Sequence, residues 1–166
     1  MSLTQSPDYE LEHAVLSLIN DSSNINCYGT NRIGARLFPY VVVSAQPVRQ
    51  LVTPYSGVYE MQVSVDYSNS SALVSKDAFD AEYLNIFSHL YDNSTTLVAQ
   101  IESHSVNLKT YMARISSQTP TIQIAKSAWQ RGLVITAICT PSTTSPTNLR
   151  SLDFSDYLNS QYLGLI

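Results

Sequence analysis

The chain has 166 residues, a formal charge of −4, 44% hydrophobic residues and only 13% charged ones. That apolar share excludes a disordered chain, and the length suits one domain of about 150 residues plus a short extension. The acidic balance, with nine scattered cations, argues against a nucleic-acid-binding module, whose footprint is basic. Ser and Thr fill the gap left by charge. A surface of this kind suits a protein packed against other proteins, and it equally suits a solvated, hydroxyl-rich one. No apolar run approaches the roughly 18 residues of a membrane span. Met1–Glu12 is polar and acidic, without the basic and apolar regions of a signal peptide. Asn20, Asn69 and Asn93 each open an N-x-[ST] triplet, which without secretion is a chance match. Cys27 and Cys139 lie too far apart in sequence for a metal knuckle and read as reduced thiols, Cys139 buried in a strand.

The first element opens at Ser6-Pro7-Asp8: Ser as N-cap, Pro at the first helical position, Asp on the positive end of the dipole. Leu11, Ala14, Val15, Leu18 and Ile19 then repeat at helical spacing, predicting an amphipathic helix over about 7–20. Phe38–Ala45 is a short β-branched run bracketed by Pro39 and Pro47, followed by a loop with Pro54 and Gly57. The clearest strand comes next. Tyr59, Met61, Val63, Val65 and Tyr67 alternate with Glu60, Gln62, Ser64 and Asp66, which means one buried and one wet face.

Ser75 caps a second predicted helix, Lys76–Tyr91, whose stripe is Phe79, Tyr83, Ile86, Phe87 and Leu90. A shorter helix follows over Ser94–Glu102. Val106–Ile115 reads as a strand with Val106, Leu108 and Met112 on one side, and Thr121–Ala125 continues the pairing beyond Pro120. In Ser127–Cys139, Trp129, Leu133, Ile135 and Ala137 share one face and Val134 and Ile138 the other, the mark of a central strand. Pro141 ends this first unit, 1–141. The extension, 142–166, is a Ser/Thr/Pro linker leading to Leu149, Leu152, Phe154, Tyr157, Leu158 and Tyr162 and an apolar end, Leu163-Gly164-Leu165-Ile166. Exposing such residues costs on the order of 1.5–3 kcal/mol each, so the tail either packs on its own domain or docks on a neighbour.

Catalytic signatures are lacking: no HExxH, CxxC, G-x-S-x-G or Walker A lysine. Gly29-Thr30-Asn31-Arg32-Ile33-Gly34 lacks the pattern and the setting of a phosphate loop. His13, His89 and His104 are spaced for no zinc site and read as structural or surface residues. Asp77, Asp80 and Glu82 could form an acid–base group, but the first turns of a helix explain them through its dipole. Trp129, Tyr111 and Tyr83 could line a pocket, but at this spacing they are more simply core. The reading is therefore no enzyme, no cofactor and no metal, and the eleven tyrosines lean toward protein contacts.

Three stretches carry a family likeness. Ser56-Gly57-Val58-Tyr59-Glu60-Met61-Gln62-Val63-Ser64-Val65 enters a strand from a Gly turn. A polar stretch with Ser-Lys-Asp then starts a helix that ends in Leu90-Tyr91-Asp92. Last comes Trp129-Gln130-Arg131-Gly132-Leu133-Val134-Ile135-Thr136-Ala137-Ile138-Cys139-Thr140-Pro141, an aromatic leading into a long strand that stops at Pro. In this order, over about residues 5–141, the chain resembles the tail terminator (tail completion, neck) proteins of long-tailed bacteriophages. The resemblance implies an α+β fold: a small, mostly antiparallel sheet of four or more strands packed with two to three helices on one side, plus the C-terminal extension, which is longer than in compact members.

It further implies a virion protein of the neck, made in the cytoplasm of the bacterial host. Such proteins form a ring, typically a hexamer, that caps the tail tube, ends its polymerisation and meets the head–tail connector or stopper, with a sheath protein as a further candidate partner. DNA passes through the lumen without sequence-specific contact, which an acidic wall favours, and no membrane is involved. Tube- and connector-facing segments are expected in the loops, especially Ala45–Gly57 and Ser68–Ser75. Arg32, Arg36, Arg49 and Tyr55 are interface candidates there, and each arginine could equally be a solvated charge. Tyr157, Leu158, Tyr162, Leu163, Leu165 and Ile166 are candidates in the tail. The alternatives are a head-side adaptor or stopper, the tube protein itself, and, from another class, a small enzyme or ligand-binding domain. A histidine beside a carboxylate in a pocket would favour the enzyme.

Overall fold

The computed structural model describes residues 6–30, 32–51, 57–91, 94–105 and 107–141. Their order is α1 (Pro7–Ser22), β1 (Asn26–Gly29), β2 (Tyr40–Gln50), β3 (Tyr59–Ser70), α2 (Lys76–Phe87), α3 (Ser94–Ser103), β4 (Leu108–Gln118), β5 (Ile122–Ile124) and β6 (Ala128–Pro141), with a 3₁₀ turn, Ser88–Tyr91, after α2. The protein is α+β: three helices and one six-stranded sheet ordered β1-β2-β3-β6-β4, with β5 added to the start of β6. All pairings are antiparallel except β1 on β2.

The alternation in β3 decides the layering. Met61, Val63, Val65 and Tyr67 are buried, and their register partners Ile135 and Leu133 of β6 and Val41 and Val43 of β2 are buried with them. All three helices cover this face: Leu11, Val15 and Ile19 of α1, Phe79, Tyr83 and Phe87 of α2, and Leu97 and Ile101 of α3 join the same cluster. The opposite face carries the other parity, Ser44, Gln62, Ser64, Asp66, Val134 and Thr136. β6 lies between β3 and β4, as its two partly apolar faces require.

Local chemistry explains most boundaries. Ser75 Oγ accepts the Ala78 N–H and caps α2. Ser6 does not cap α1 with its side chain; its carbonyl accepts the Glu10 N–H instead. α1 runs two residues past Asn20, and the hydroxyls of Ser22 and Ser23 donate to the Leu18 and Ile19 carbonyls.

One strand has no counterpart in the sequence reading, and three expectations need correction. β1 is too short and polar to register as a strand alone; the parallel pairing of Asn26–Gly29 to Tyr40–Val43 makes it one. β2 runs through Pro47 to Gln50 rather than stopping at Ala45, so Arg49 is a strand residue. The proline is tolerated because β1 ends at the level of Val43, leaving the second half of β2 as an edge, and a bulge between Pro47 and Arg49 absorbs the irregularity. Ser68–Ser70 likewise belong to β3, with Ser68 and Asn69 buried, so only 71–75 form the turn. In β4 a bulge between Thr110 and Met112 flips the phase: Leu108 and Thr110 face the core, then Ala113, while Met112 pairs with Ile138 on the opposite face. Val106 lies outside the described residues, as does the extension 142–166.

Candidate functional site

The connection from β1 to β2 has to double back, because the two strands are parallel. Asn26 Nδ2 donates to the Leu37 and Pro39 carbonyls, and the Leu37 N–H donates to Tyr28 Oη, so the returning chain is tied to β1. Its Phe38–Pro39 bond is cis. Tyr28 pairs with Val42, which places it, with Tyr40, on the sheet face away from the helices. Arg32 stacks over the Tyr28 ring at 4.3 Å, Arg36 over Tyr40 at 5.8 Å, and Phe38 stacks on Tyr40 at 5.3 Å. Neither arginine has an anionic partner among the described residues. Beside them the loop presents Ile33 at 98% exposure, Leu37 at 67% and Phe38 at 43%.

These apolar side chains were missed in the sequence because they follow no period. Their only signal is large apolar residues next to arginines, between Gly34 and Pro39 or just before Gly34.

A second exposed group lies at the same end of the sheet. Tyr40 of β2, Ser70 of β3 and Ala128 of β6 reach that end together through the register. There the 71–74 turn, tied to the β5–β6 connection by Ser71 N–H to the Ser127 carbonyl and by Gln123 Nε2 to Ser71 Oγ, exposes Leu73 beside Ile122 and Ile124. The expected contact segment Ser68–Ser75 therefore keeps its turn as surface and loses its first three residues to the sheet.

The remaining interface candidates separate. Arg49 pairs with Glu60 of the neighbouring strand, so its charge is compensated within the chain. Tyr55, Tyr157, Leu158, Tyr162, Leu163, Leu165 and Ile166 lie outside the described residues.

The carboxylates of α2 do more than complement a dipole. Asp80 accepts from Thr121 Oγ and lies 3.3 Å from Arg131 Nη1, while the Arg131 guanidinium lies 4.4 Å from the centre of the Tyr83 ring. Glu82 Oε2 accepts from Tyr67 Oη at 2.8 Å and Asn69 Nδ2 at 2.9 Å. Burial, then the Glu82 hydrogen bond and charge, push the Tyr67 hydroxyl well above the usual tyrosine range. The aromatic grouping also differs from the sequence expectation. Tyr83 packs on Phe87 and meets the Tyr91 hydroxyl, whereas Trp129 donates its indole N–H to the Val74 carbonyl.

His104 does lie beside a carboxylate. Its Nε2 is 3.0 Å from Asp21, but its Nδ1 is 2.8 Å from the Gln100 carbonyl, so the ring links the ends of α1 and α3. Ser22 stands next to Asp21, yet its hydroxyl donates to backbone carbonyls and faces His89 rather than His104. Ser103 Oγ also lies 3.0 Å from His104 Nδ1, but its hydroxyl donates to the Gln100 carbonyl at 2.8 Å, the same carbonyl that Nδ1 meets, so serine and imidazole both tie into the end of α3. Among the described residues no group of three or more His, Cys, Asp or Glu could hold a metal, and no helix is long and apolar enough to cross a membrane. Both cysteines are free. Burial raises Cys27 to about 11 and Cys139 to about 12, the reverse of an activated nucleophile.

No protein-family model matches the chain, and no curated protein matches it.

Proposed function

We propose that the chain is a structural protein of the bacteriophage neck, a tail terminator that forms a ring on the tail tube, ends tube growth and joins the tail to the head connector. The observation that carries an assembly role is the apolar end of the sheet: Leu37 and Phe38 on one side, Leu73, Ile122 and Ile124 on the other, with Ile33 in the arginine-bearing loop. Clustered apolar side chains rimmed by polar ones mark interaction sites, whereas single exposed ones need no explanation. A single helix-covered sheet favours a terminator over a tube protein, for which a β-sandwich with a long hairpin is expected. In this reading the loop and the sheet end meet neighbours, and the segment 142–166 docks on an adjacent subunit or ring.

The test is electron microscopy of particles made when the gene is inactivated in its phage. Overlong or irregular tails apart from filled heads are expected. Filled heads beside detached tails of normal length would move the protein to the head side of the joint, and intact infectious particles would overturn the structural role. A ligand-binding role is the second reading, and a cleft lined by Ser22, Pro39, Tyr67, Glu82 and Asn85 is the observation that favours it.

A further inference from the structure

Between the C-terminal end of α1 and the outer side of α2 the surface opens into a cleft of about 410 Å³, lined by Ser22, Asn24, Pro39, Tyr67, Glu82 and Asn85 among others. This is at the small end of the range of about 300–1,000 Å³ found for ligand sites, room for a side chain or a small metabolite.

Its charge has one sign, from two independent sources. The first is Glu82. Both donors that hold its Oε2, Tyr67 and Asn69, are buried, so the carboxylate is fixed in position rather than free to swing into solvent. No Lys or Arg among the described residues pairs with it. The second is the end of α1. Its last turn contains no cation and does contain Asp21, so nothing within the helix offsets the partial negative charge of its terminal carbonyls. The hydroxyls of Ser22 and Ser23 satisfy the Leu18 and Ile19 carbonyls without neutralising them. His104 is spent on Asp21, and His89 faces Ser22 Oγ at 3.3 Å. Asn24 and Asn85 add uncharged amides to the lining.

We propose that this cleft is a receptor for a guanidinium group. A guanidinium carries five donors in a planar fork and remains charged at any physiological pH, which matches one fixed carboxylate flanked by uncharged polar groups. The group is either that of a free small molecule or the side chain of an arginine on a partner protein. Pro39 forms part of the wall, and Leu37 and Phe38 next to it belong to the exposed loop, so a partner seated there has the cleft within reach of a side chain. Only this choice of source rests on the assembly reading.

The experiment is an NMR titration of the isotope-labelled full chain with agmatine and with N-acetyl-arginine amide, against N-acetyl-citrulline amide, the neutral isostere. Saturable shifts are expected at Ser22–Ile25, Tyr67 and Glu82–Ile86 with both guanidinium compounds. Binding should weaken at least about tenfold for the citrulline compound and for Glu82→Gln, since a charge-assisted bond is roughly twice as strong as a neutral one. Glu82→Gln keeps an acceptor for Tyr67 and Asn69. Asn85→Lys, on the exposed rim, supplies a tethered cation and is expected to abolish binding without unfolding the chain. Equal shifts by arginine and citrulline compounds, shifts away from the cleft, or no saturable shift in the millimolar range would overturn the proposal.

Sedimentation of the same variants decides the source. Weakened self-association in Glu82→Gln assigns the guanidinium to a neighbouring copy, and unchanged self-association assigns it to another molecule. A chain that stays monomeric at every concentration yet binds agmatine would retire the assembly reading and keep the site.

Discussion

Asp66 sits on the sheet face opposite the helices, directly across from Gly132. A Cβ at position 132 would fall on the Asp66 carboxylate and come within 3.2 Å of the Val65 carbonyl oxygen, so a side chain there forces the Asp66 side chain to move and crowds the backbone of β3. Gly132→Ala should cost about 1–3 kcal/mol in chemical denaturation. The cost should be smaller in an Asp66→Ala background, where the side chain in the way is gone. Burial also raises the Asp66 carboxyl above 3.8. The folded chain therefore holds a proton there at pH values where the unfolded chain has lost it, and stability falls as pH rises through that window. Asp66→Asn removes the penalty. Its Tm should exceed that of the parent at pH 7, and the two should converge as the pH drops below 3.8.

The thiols allow a similar check. With Cys27 raised to about 11, about one thiol in a thousand is ionised at pH 8, and Cys139 is buried besides. A disulfide reagent should label Cys27 slowly and Cys139 only on unfolding. Equal, rapid labelling of both would contradict the packing described.

At the scale of elements, the sheet was legible wherever one strand declared its own faces. β3 announced its buried side by strict alternation, and β6 its central position by two partly apolar faces. α2 and its cap were legible for the same local reason, and Ser75→Ala should cost about 1 kcal/mol, read by urea denaturation. What escaped reading depends on a neighbour. β1 exists through its pairing to β2, Pro47 is tolerated because β1 is short, and Met112 changes face at a bulge. None of these has a signature in its own residues, since a bulge needs only one extra residue opposite a partner. The same holds for the cleft. Glu82 was visible as a helix carboxylate, but Asn69 and Tyr67 lie on β3 and the cleft closes against the end of α1, so no spacing in the chain announces the group.

At the scale of the molecule, the core cluster among the described residues runs from Leu11 to Cys139. A chain ending at Pro141 should therefore keep its circular dichroism and cooperative melt, while the neck reading predicts that it assembles more weakly than the full chain. Full assembly by the truncated chain would defeat the role given to 142–166. The exposed loop gives an independent check. Ile33→Ser with Leu37→Ser removes two apolar contacts that touch little of the domain, so the Tm should hardly move. Self-association by sedimentation velocity should fall at least about tenfold, from roughly 0.8 kcal/mol for each CH₂ no longer buried.

By itself the sequence determined the three helices, the buried face of β3 and the poverty of charge, because each follows from local periodicity or composition, while the α+β class was an expectation from the family resemblance. The tertiary structure decided which arginines are compensated, which apolar residues remain outside and which carboxylate is held in a cleft. Arg49 finds Glu60 across a strand pair, Arg32 and Arg36 find tyrosine rings and no carboxylate among the described residues, and Glu82 is fixed by two donors from β3. The partners that decide each case are brought together by strand register and helix packing, and pairings at that range leave no periodic trace along the chain.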